Sequence, residues 1–393
     1  MQDYSKRAWV EINLDNIRHN FDVVKKTVNK NTKILCVLKA DAYGHGAPFL
    51  CKEFEKLGAD WFGVSNIDEA IQLRRSGADL PILIFGYTPP ELAKKLVNYN
   101  ITQSLFSKNY AHKLINICKE NNIKIKSHLK IDTGMNRIGF LAQNNDDINN
   151  SVQDILEINN YSEIDIQGIF THFSVSDNIS DNYTQEQFKK FINLVNILET
   201  NNMSFDIKHC CNSGAVINYP EMHLDMVRAG IILYGLTPSE NLNQKINFKP
   251  VMCLKSIISQ IKTIPENISI GYGRGYITDK KIRLATVPIG YADGYSCSFS
   301  NKAYMLVCGK KAKIVGKVCM DQLMIDVSDI PEAGENCEVV LFGDNNSLLT
   351  IDNLVNIGSN LTVNYELMCL IGKRVPRYYY KNNNKLIGKH SYL

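Results

Sequence analysis

Through roughly the first 235 residues, short apolar runs rich in β-formers alternate with longer segments whose apolar positions recur every three or four residues. The runs are ILCVLKA from Ile34, WFGV from Trp61, ILIF from Ile82, ITQSL from Ile101, SHLKID from Ser127, IQGIFTH from Ile166, FDIKHC from Phe205 and DMVRAG from Asp225. Between most of them, spacings such as Leu50, Phe54 and Leu57, or Phe188, Phe191, Ile192 and Val195, lay one apolar stripe along a helix. Alternation of strand and helix calls for a parallel sheet, and eight such units point to a closed (β/α)8 barrel of the TIM type ahead of an open, doubly wound sheet. A further helix over residues 14–30 precedes the first strand, with Asn13 or Asp15 as its cap.

Beyond about residue 236 the rhythm changes. Alternating runs such as IRLATVPIG, AYMLVCG and KIVGKV follow one another with turn residues between them and little helical periodicity. This predicts a mainly β domain with one late helix over residues 351–357 that stops at Gly358. The division expected is a barrel over residues 10–240 and a β-rich C-terminal domain over 241–393, with residues 1–9 packing on the latter. The Asn/Asp-rich stretch 143–151 and residues 381–385 read as solvated loops.

Composition narrows the class. An apolar fraction of 45% with 21% charged residues supports a sizeable core. A net charge of only +4, with both signs interspersed, argues against nucleic acid as a partner. The cysteine count of 11 is odd and contains no CxxC, so the thiols read as reduced, mostly small core residues, and no metal site is expected. The first residues hold no apolar leader and no run approaches the roughly 18 apolar residues of a membrane span, which predicts a cytoplasmic protein.

In a β/α barrel the chemistry gathers at the C-terminal ends of the strands. Lys39 closes the first strand run and is followed by small and turn-forming residues, space in which an amine loses hydration and becomes nucleophilic; an ordinary ion pair is the competing reading. Asn212, Ser213 and Gly214 follow the seventh strand, and Gly230 and Ile231 the eighth, where barrels often bind phosphate on free backbone N–H groups. Asn-Ser-Gly is also a common turn and cap. Taken together, a phosphate loop and a strand-end lysine on one barrel face suggest a phosphate-anchored aldehyde, pyridoxal 5'-phosphate (PLP).

The segments VLKADAYGHG, LKIDTGMNRIGF, THF, HCCNSGA, DMVRAGIILYG, GYGRGY, VPIGYADGY, VGKVCMDQLMIDV and VNYELMC resemble, in order and from about residue 8 to about residue 377, those of the alanine racemases. The resemblance implies a PLP-dependent isomerase. Lys39 matches the lysine that bonds the cofactor and serves as one acid/base, and Tyr272 the tyrosine on the opposite face. Racemisation needs two such groups, because the α-proton must leave from one side and return from the other. Arg228 matches the residue facing the pyridine nitrogen; a guanidinium does not hand over its proton, so the ring stays a weak electron sink. Tyr43, Ser213, Gly230, Ile231 and Tyr365 match the phosphate-binding set, His172 and Asn212 groups around the ring, and His209 a position behind it. Arg137 and the backbone N–H of Met320, with Asp321 beside it, match the substrate-carboxylate site, and Tyr291 matches a tyrosine at the substrate entrance. Lys130 stands where some members carry a carbamylated lysine. The resemblance further implies a homodimer with shared active sites, and D-alanine supply for peptidoglycan as the purpose.

Three other readings stay open. A serine or broad-spectrum racemase would use the same scaffold, although Tyr365 and the entrance tyrosines favour a small side chain. A PLP-dependent decarboxylase would need an acidic partner for the pyridine nitrogen where Arg228 stands. A non-catalytic PLP-binding homeostasis protein would resemble only the barrel and would lack an equivalent of Tyr272. Phe85, Gly86 and Tyr87, in a loop that varies in the family, and Gly275, where a hydroxyl residue is more usual, are the departures from the family pattern.

Overall fold

The computed structural model describes residues 7–238, 246–343, 349–357, 364–382 and 385–391. The expected domain boundary at 240, the helix stop at Gly358 and part of the loop at 381–385 lie outside them. The chain divides into two compact units: the described residues of Met1–Ile17, Tyr43–Gly46 and Lys249–Leu393 form one, and those of Arg18–Ala42 and Ala47–Phe248 the other.

The first strand, β1 (Ala8–Asn13), belongs to the β-rich unit. Eight parallel strands build the other unit: β2 (Lys33–Val37), β3 (Trp61–Val64), β4 (Ile82–Ile84), β5 (Ile101–Leu105), β6 (Ile125–Asp132), β7 (Ile164–Phe170), β8 (Ile207–His209) and β9 (Met226–Ala229). They pair in the order β9-β2-β3-β4-β5-β6-β7-β8. Backbone bonds from Asp225 N–H to the Lys208 carbonyl (3.1 Å) and from Arg228 N–H to the Cys211 carbonyl (3.0 Å) bring the two ends together. The result is a nearly closed TIM-like barrel whose eight strands fall on the eight apolar runs.

Its helices begin where the sequence supplies caps. The Asn66, Ser107 and Asn144 side chains accept from the N–H groups of Glu69, Tyr110 and Asp147. The helix Lys108–Asn121 buries Tyr110, Ala111, Leu114, Ile115 and Cys118, the one-sided stripe that docks it on the barrel. The helix before β2 spans Leu14–Thr27, shorter than its apolar pattern suggested, and Asn13 rather than Asp15 caps it by accepting from Asn16 N–H at 3.0 Å.

The β-rich unit holds β10 (Met252–Ile257), β11 (Gln260–Ile264), β12 (Ile282–Val287), β13 (Tyr304–Val307), β14 (Lys310–Ile314), β15 (Leu323–Asp326), β16 (Glu338–Phe342), β17 (Arg377–Lys381) and β18 (Lys385–His390). With β1 they form one sheet ordered β11-β12-β15-β14-β13-β16-β10-β1-β17-β18. All its pairings are antiparallel except that of β1 with β17. The expected helix Ile351–Ile357 is present, and a second, Asn364–Cys369, adds to the reading of this region. Its six residues are too few for an apolar period to stand out.

None of the 11 cysteines is in a disulfide. Cys36, Cys51, Cys118, Cys210 and Cys211 are buried, whereas the other six are not, so the reading of mostly core residues fits only the barrel. Among the described residues no helix is long and apolar enough to cross a membrane, and no group of His, Cys, Asp and Glu side chains is arranged to hold a metal ion.

Candidate active site

Lys39 stands just beyond β2, and the chain after it takes an unusual course. Ala40, Asp41, Ala42 and Tyr43 have φ of 51°, 55°, 54° and 54°, a full left-handed turn made of residues that all carry a Cβ. Such a conformation costs roughly 1–2 kcal/mol per residue and persists only where surrounding bonds impose it. Glu69 accepts from Ala40 N–H at 2.8 Å, Asp41 accepts from Ala47 N–H at 2.8 Å, and Ala42 N–H reaches the Leu38 carbonyl at 2.9 Å. Within the other unit, the Tyr43 ring meets Tyr365 edge-on with centroids 6.1 Å apart. Burial, then the neighbouring Cys369 and Tyr365, raises the Tyr43 phenol above its ordinary value, so it stays a neutral hydrogen-bonding hydroxyl.

Arg228, at the end of β9, is buried and held by neutral acceptors alone. Its Nη1 donates to Nδ1 of His209 at 2.9 Å. Its Nη2 donates to the carbonyls of Thr171 and Cys210, both at 2.8 Å, and lies 3.1 Å from Nδ1 of His172. Among the described residues no carboxylate pairs with it. Burial lowers its pKa to about 10, which leaves it a cation at neutral pH. His172 is pushed well below the usual imidazole value by burial and then by the charges of Arg228, Lys130, Arg137 and Lys39.

Lys130 is buried on β6, with Nζ 3.2 Å from the Ile131 carbonyl and 5.1 Å from the centre of the Phe170 ring. Burial and then the charge of Arg228 drive its pKa well below that of a free lysine; Arg137 adds to the fall and Asp132 opposes it. Arg137 itself is exposed on the loop after β6. Asp132 shapes that loop by accepting from the N–H groups of Gly134, Asn136 and Arg137 at 3.0, 3.0 and 3.1 Å. Its role was missed in the sequence, although an Asp ahead of Thr-Gly-Met-Asn is a recognisable turn former.

The helix Ser213–Asn218 opens on Asn212, whose Oδ1 accepts from Ala215 N–H at 3.1 Å and from Ser176 Oγ at 2.6 Å. Asn212 is therefore a cap, and Ser213 is the first residue of the helix. Ser213 Oγ accepts from Gly230 N–H at 3.0 Å, which ties the loops after β8 and β9 together, with Ile231 opening the next turn.

In the β-rich unit, Tyr272 tops a hairpin whose stem pairs Ser269 with Ile277 and Ile270 with Tyr276. Ile270 packs with Ile282, Leu284 and Val315, so the hairpin is anchored while the Tyr272 side chain is 73% exposed. Tyr291 and Met320 belong to two adjoining loops: Tyr291 N–H bonds the Cys319 carbonyl and Ala292 N–H the Met320 carbonyl, both at 3.0 Å. An ionic cluster fastens these loops. The fully buried Asp293 takes a bidentate contact from Arg7 at 2.5 and 3.0 Å, and Arg374 lies 3.5 Å from Asp293 and 2.7 Å from Asp321. Arg7, Asp293 and Arg374 were not singled out in the sequence, and nothing in their local spacing marks them as partners.

Residues 12–238 match the family model described as alanine racemase, N-terminal domain, and residues 251–379 match that described as alanine racemase, C-terminal domain. The chain belongs to the alanine racemase family. It is 42% identical over 380 residues to an alanine racemase of Desulfovibrio desulfuricans, covering 96% of this chain and 100% of that relative. An alanine racemase structure from Clostridium difficile superposes with a TM-score of 0.93 at 39% identity, covering 100% of both chains. A second structure of that racemase, in complex with cycloserine, gives 0.91 at 38% identity, again over 100% of both chains.

Against this family the donor set of the barrel mouth fits PLP. A dianionic phosphate suits the region where the Ser213 and Gly230 loops meet, and the uncompensated Arg228 suits a lone pair on the ring nitrogen.

Proposed function

We propose that this chain interconverts L-alanine and D-alanine with PLP as cofactor. The observation that carries the reading is Arg228: a buried guanidinium with only neutral partners, on the same barrel face as a strand-end lysine held by an imposed left-handed turn. When bound, PLP supplies an aldehyde for the lysine and a ring that makes the α-proton of an attached amino acid acidic.

Around it each side chain has a task. Tyr43, Ser213, Tyr365 and the backbone of Gly230 and Ile231 bind the phosphate, while His172 and the Asn212 cap shape the ring pocket. Arg228 donates a hydrogen bond to the ring nitrogen without giving up its proton, which limits electron withdrawal and favours prompt return of the proton to Cα. Lys39 Nζ moves that proton on one face and Tyr272 Oη on the other. Arg137 and the Met320 N–H hold the substrate carboxylate, Asp321 lies beside them, and Tyr291 lines the approach. Lys130, which burial and then the charge of Arg228 hold well below a free lysine, is the group on which a carbamate would form: its neutral amine adds to carbon dioxide and loses one proton, placing an anion in the field of Arg228 and Arg137.

The active form in this reading is a cytoplasmic homodimer, with Lys39 from one subunit working with Tyr272 of the other, and its product serves cell-wall peptidoglycan. Arg228 in place of an acid argues against the decarboxylase. The match of residues 251–379 to a racemase C-terminal domain argues against the barrel-only PLP-binding protein. Incubating the PLP-loaded protein with L-alanine or L-serine in deuterium oxide, and following circular dichroism with Cα exchange, tests the reading. Alanine should racemise and exchange well ahead of serine; preference for serine overturns the substrate, and absence of exchange from both overturns the activity.

A further inference from the structure

Behind Arg228 the hydrogen-bond chain does not stop at His209. Its Nε2 lies 3.0 Å from Nδ1 of His128, a fully buried histidine on β6. The direction of each bond follows from its first member. A guanidinium only donates, so His209 Nδ1 accepts from Arg228. Neutral His209 then carries its proton on Nε2, and His128 Nδ1 must accept it. His128 is left with its own proton on Nε2, an atom that has no hydrogen-bond partner among the described residues. Both imidazoles stay neutral because burial, foremost, holds them below the ordinary value, His128 at about 3.

The fold goes out of its way to seat this ring. The register of β6 with β7 shifts between Ser127 and His128, an irregularity of the ladder at this ring. The residue opposite is Gly168, where a Cβ would come within 2.7 Å of His128 Cε1 and 2.7 Å of the Ile207 carbonyl oxygen. Trp61 covers another side, its ring centre 5.2 Å away. A buried N–H without a partner weakens a fold, and an apolar residue would avoid that loss.

We propose that His128 is a positioning residue: by accepting from Nε2–H of His209 it locks that ring in the orientation and tautomer that Arg228 also requires, so that a lone pair always faces Arg228 and holds its guanidinium at the cofactor nitrogen. The proposal rests on the PLP reading above for its catalytic consequence, but not for the tautomer itself. Were His209 to carry its proton on Nδ1, two N–H groups would confront each other and Arg228 would leave its place. His128→Phe removes the acceptor; His128→Asn restores an oxygen near the position of Nδ1.

The test reads the histidine nitrogens of the cofactor-free chain by long-range proton–nitrogen NMR, then kcat, KM and the visible band of bound PLP in the loaded enzyme. We expect His128→Phe to lose the single His209 tautomer, to shift the pH titration of the PLP band and to lower kcat by about tenfold or more with KM changed less than about threefold. A lost buried hydrogen bond has that scale. His128→Asn should return all three to near wild type. An unchanged His209 tautomer in His128→Phe, or an Asn variant as impaired as Phe, overturns the proposal. A wild type that binds no PLP would instead sink the racemase reading, and the tautomer measurement would still decide the role of His128.

Discussion

His128, His172 and His209 sit below the ordinary imidazole value of 6.5, chiefly through burial and, for the last two, next through the charge of Arg228. The unfolded chain therefore takes up protons near pH 6.5 that the folded chain refuses. Stability is fully present above that pH and is lost as pH falls towards the folded value, about 3 for His128. Each such group contributes a slope of about 1.4 kcal/mol per pH unit across its window. Denaturant unfolding of the cofactor-free protein between pH 7 and pH 4.5 should show this acid loss, and His128→Asn should flatten it by about one proton's worth. A profile identical in the variant would mean that His128 is not held neutral.

At the scale of the element, the left-handed turn after Lys39 is the departure from regular structure that matters most. Ala40 is exposed and has φ of 51°, so glycine there should relieve strain without opening a cavity. Ala40→Gly is expected to stabilise the protein by about 0.5–1 kcal/mol, read as a higher denaturation midpoint at unchanged slope; a destabilised variant would contradict the strain. This turn was not legible in the sequence. KADAY contains no residue that prefers positive φ apart from Asp41, and the bonds that impose it come from Glu69 and from Ala47 N–H. The barrel strands were legible because a strand buried on both faces must be an apolar run, as WFGV is. Lys39 could be picked out for the same reason, as a polar group closing an apolar run, whereas Arg228 was reached through the family resemblance. Asp293 and Arg7 escaped notice because their work is done by contacts between distant parts of the chain, the link spanning 286 positions; Asp132 acts within five residues of itself, a turn signal that the sequence did carry.

For the whole molecule, Lys39 and Tyr272 lie in separate compact units, and the proposed reading pairs them across two subunits of a homodimer. Mixing inactive Lys39→Ala with inactive Tyr272→Phe after dissociation should restore about a quarter of wild-type activity, since half of randomly reformed twofold dimers carry one intact pair. No recovery, with mixed dimers present, would place the pair within one subunit. The match of both family domains, residues 12–238 and 251–379, explains why family resemblance reached further than local pattern: the motifs lie in both units in the expected order.

The central claim is that two bases, one on each face, move the same proton. Cα exchange in deuterium oxide by PLP-loaded Tyr272→Phe, with L-alanine and D-alanine supplied separately, tests it most directly. One enantiomer should exchange without inversion and the other almost not at all, because Lys39 still works on its own face. Interconversion of both enantiomers at the wild-type rate would show that Tyr272 is not the second base.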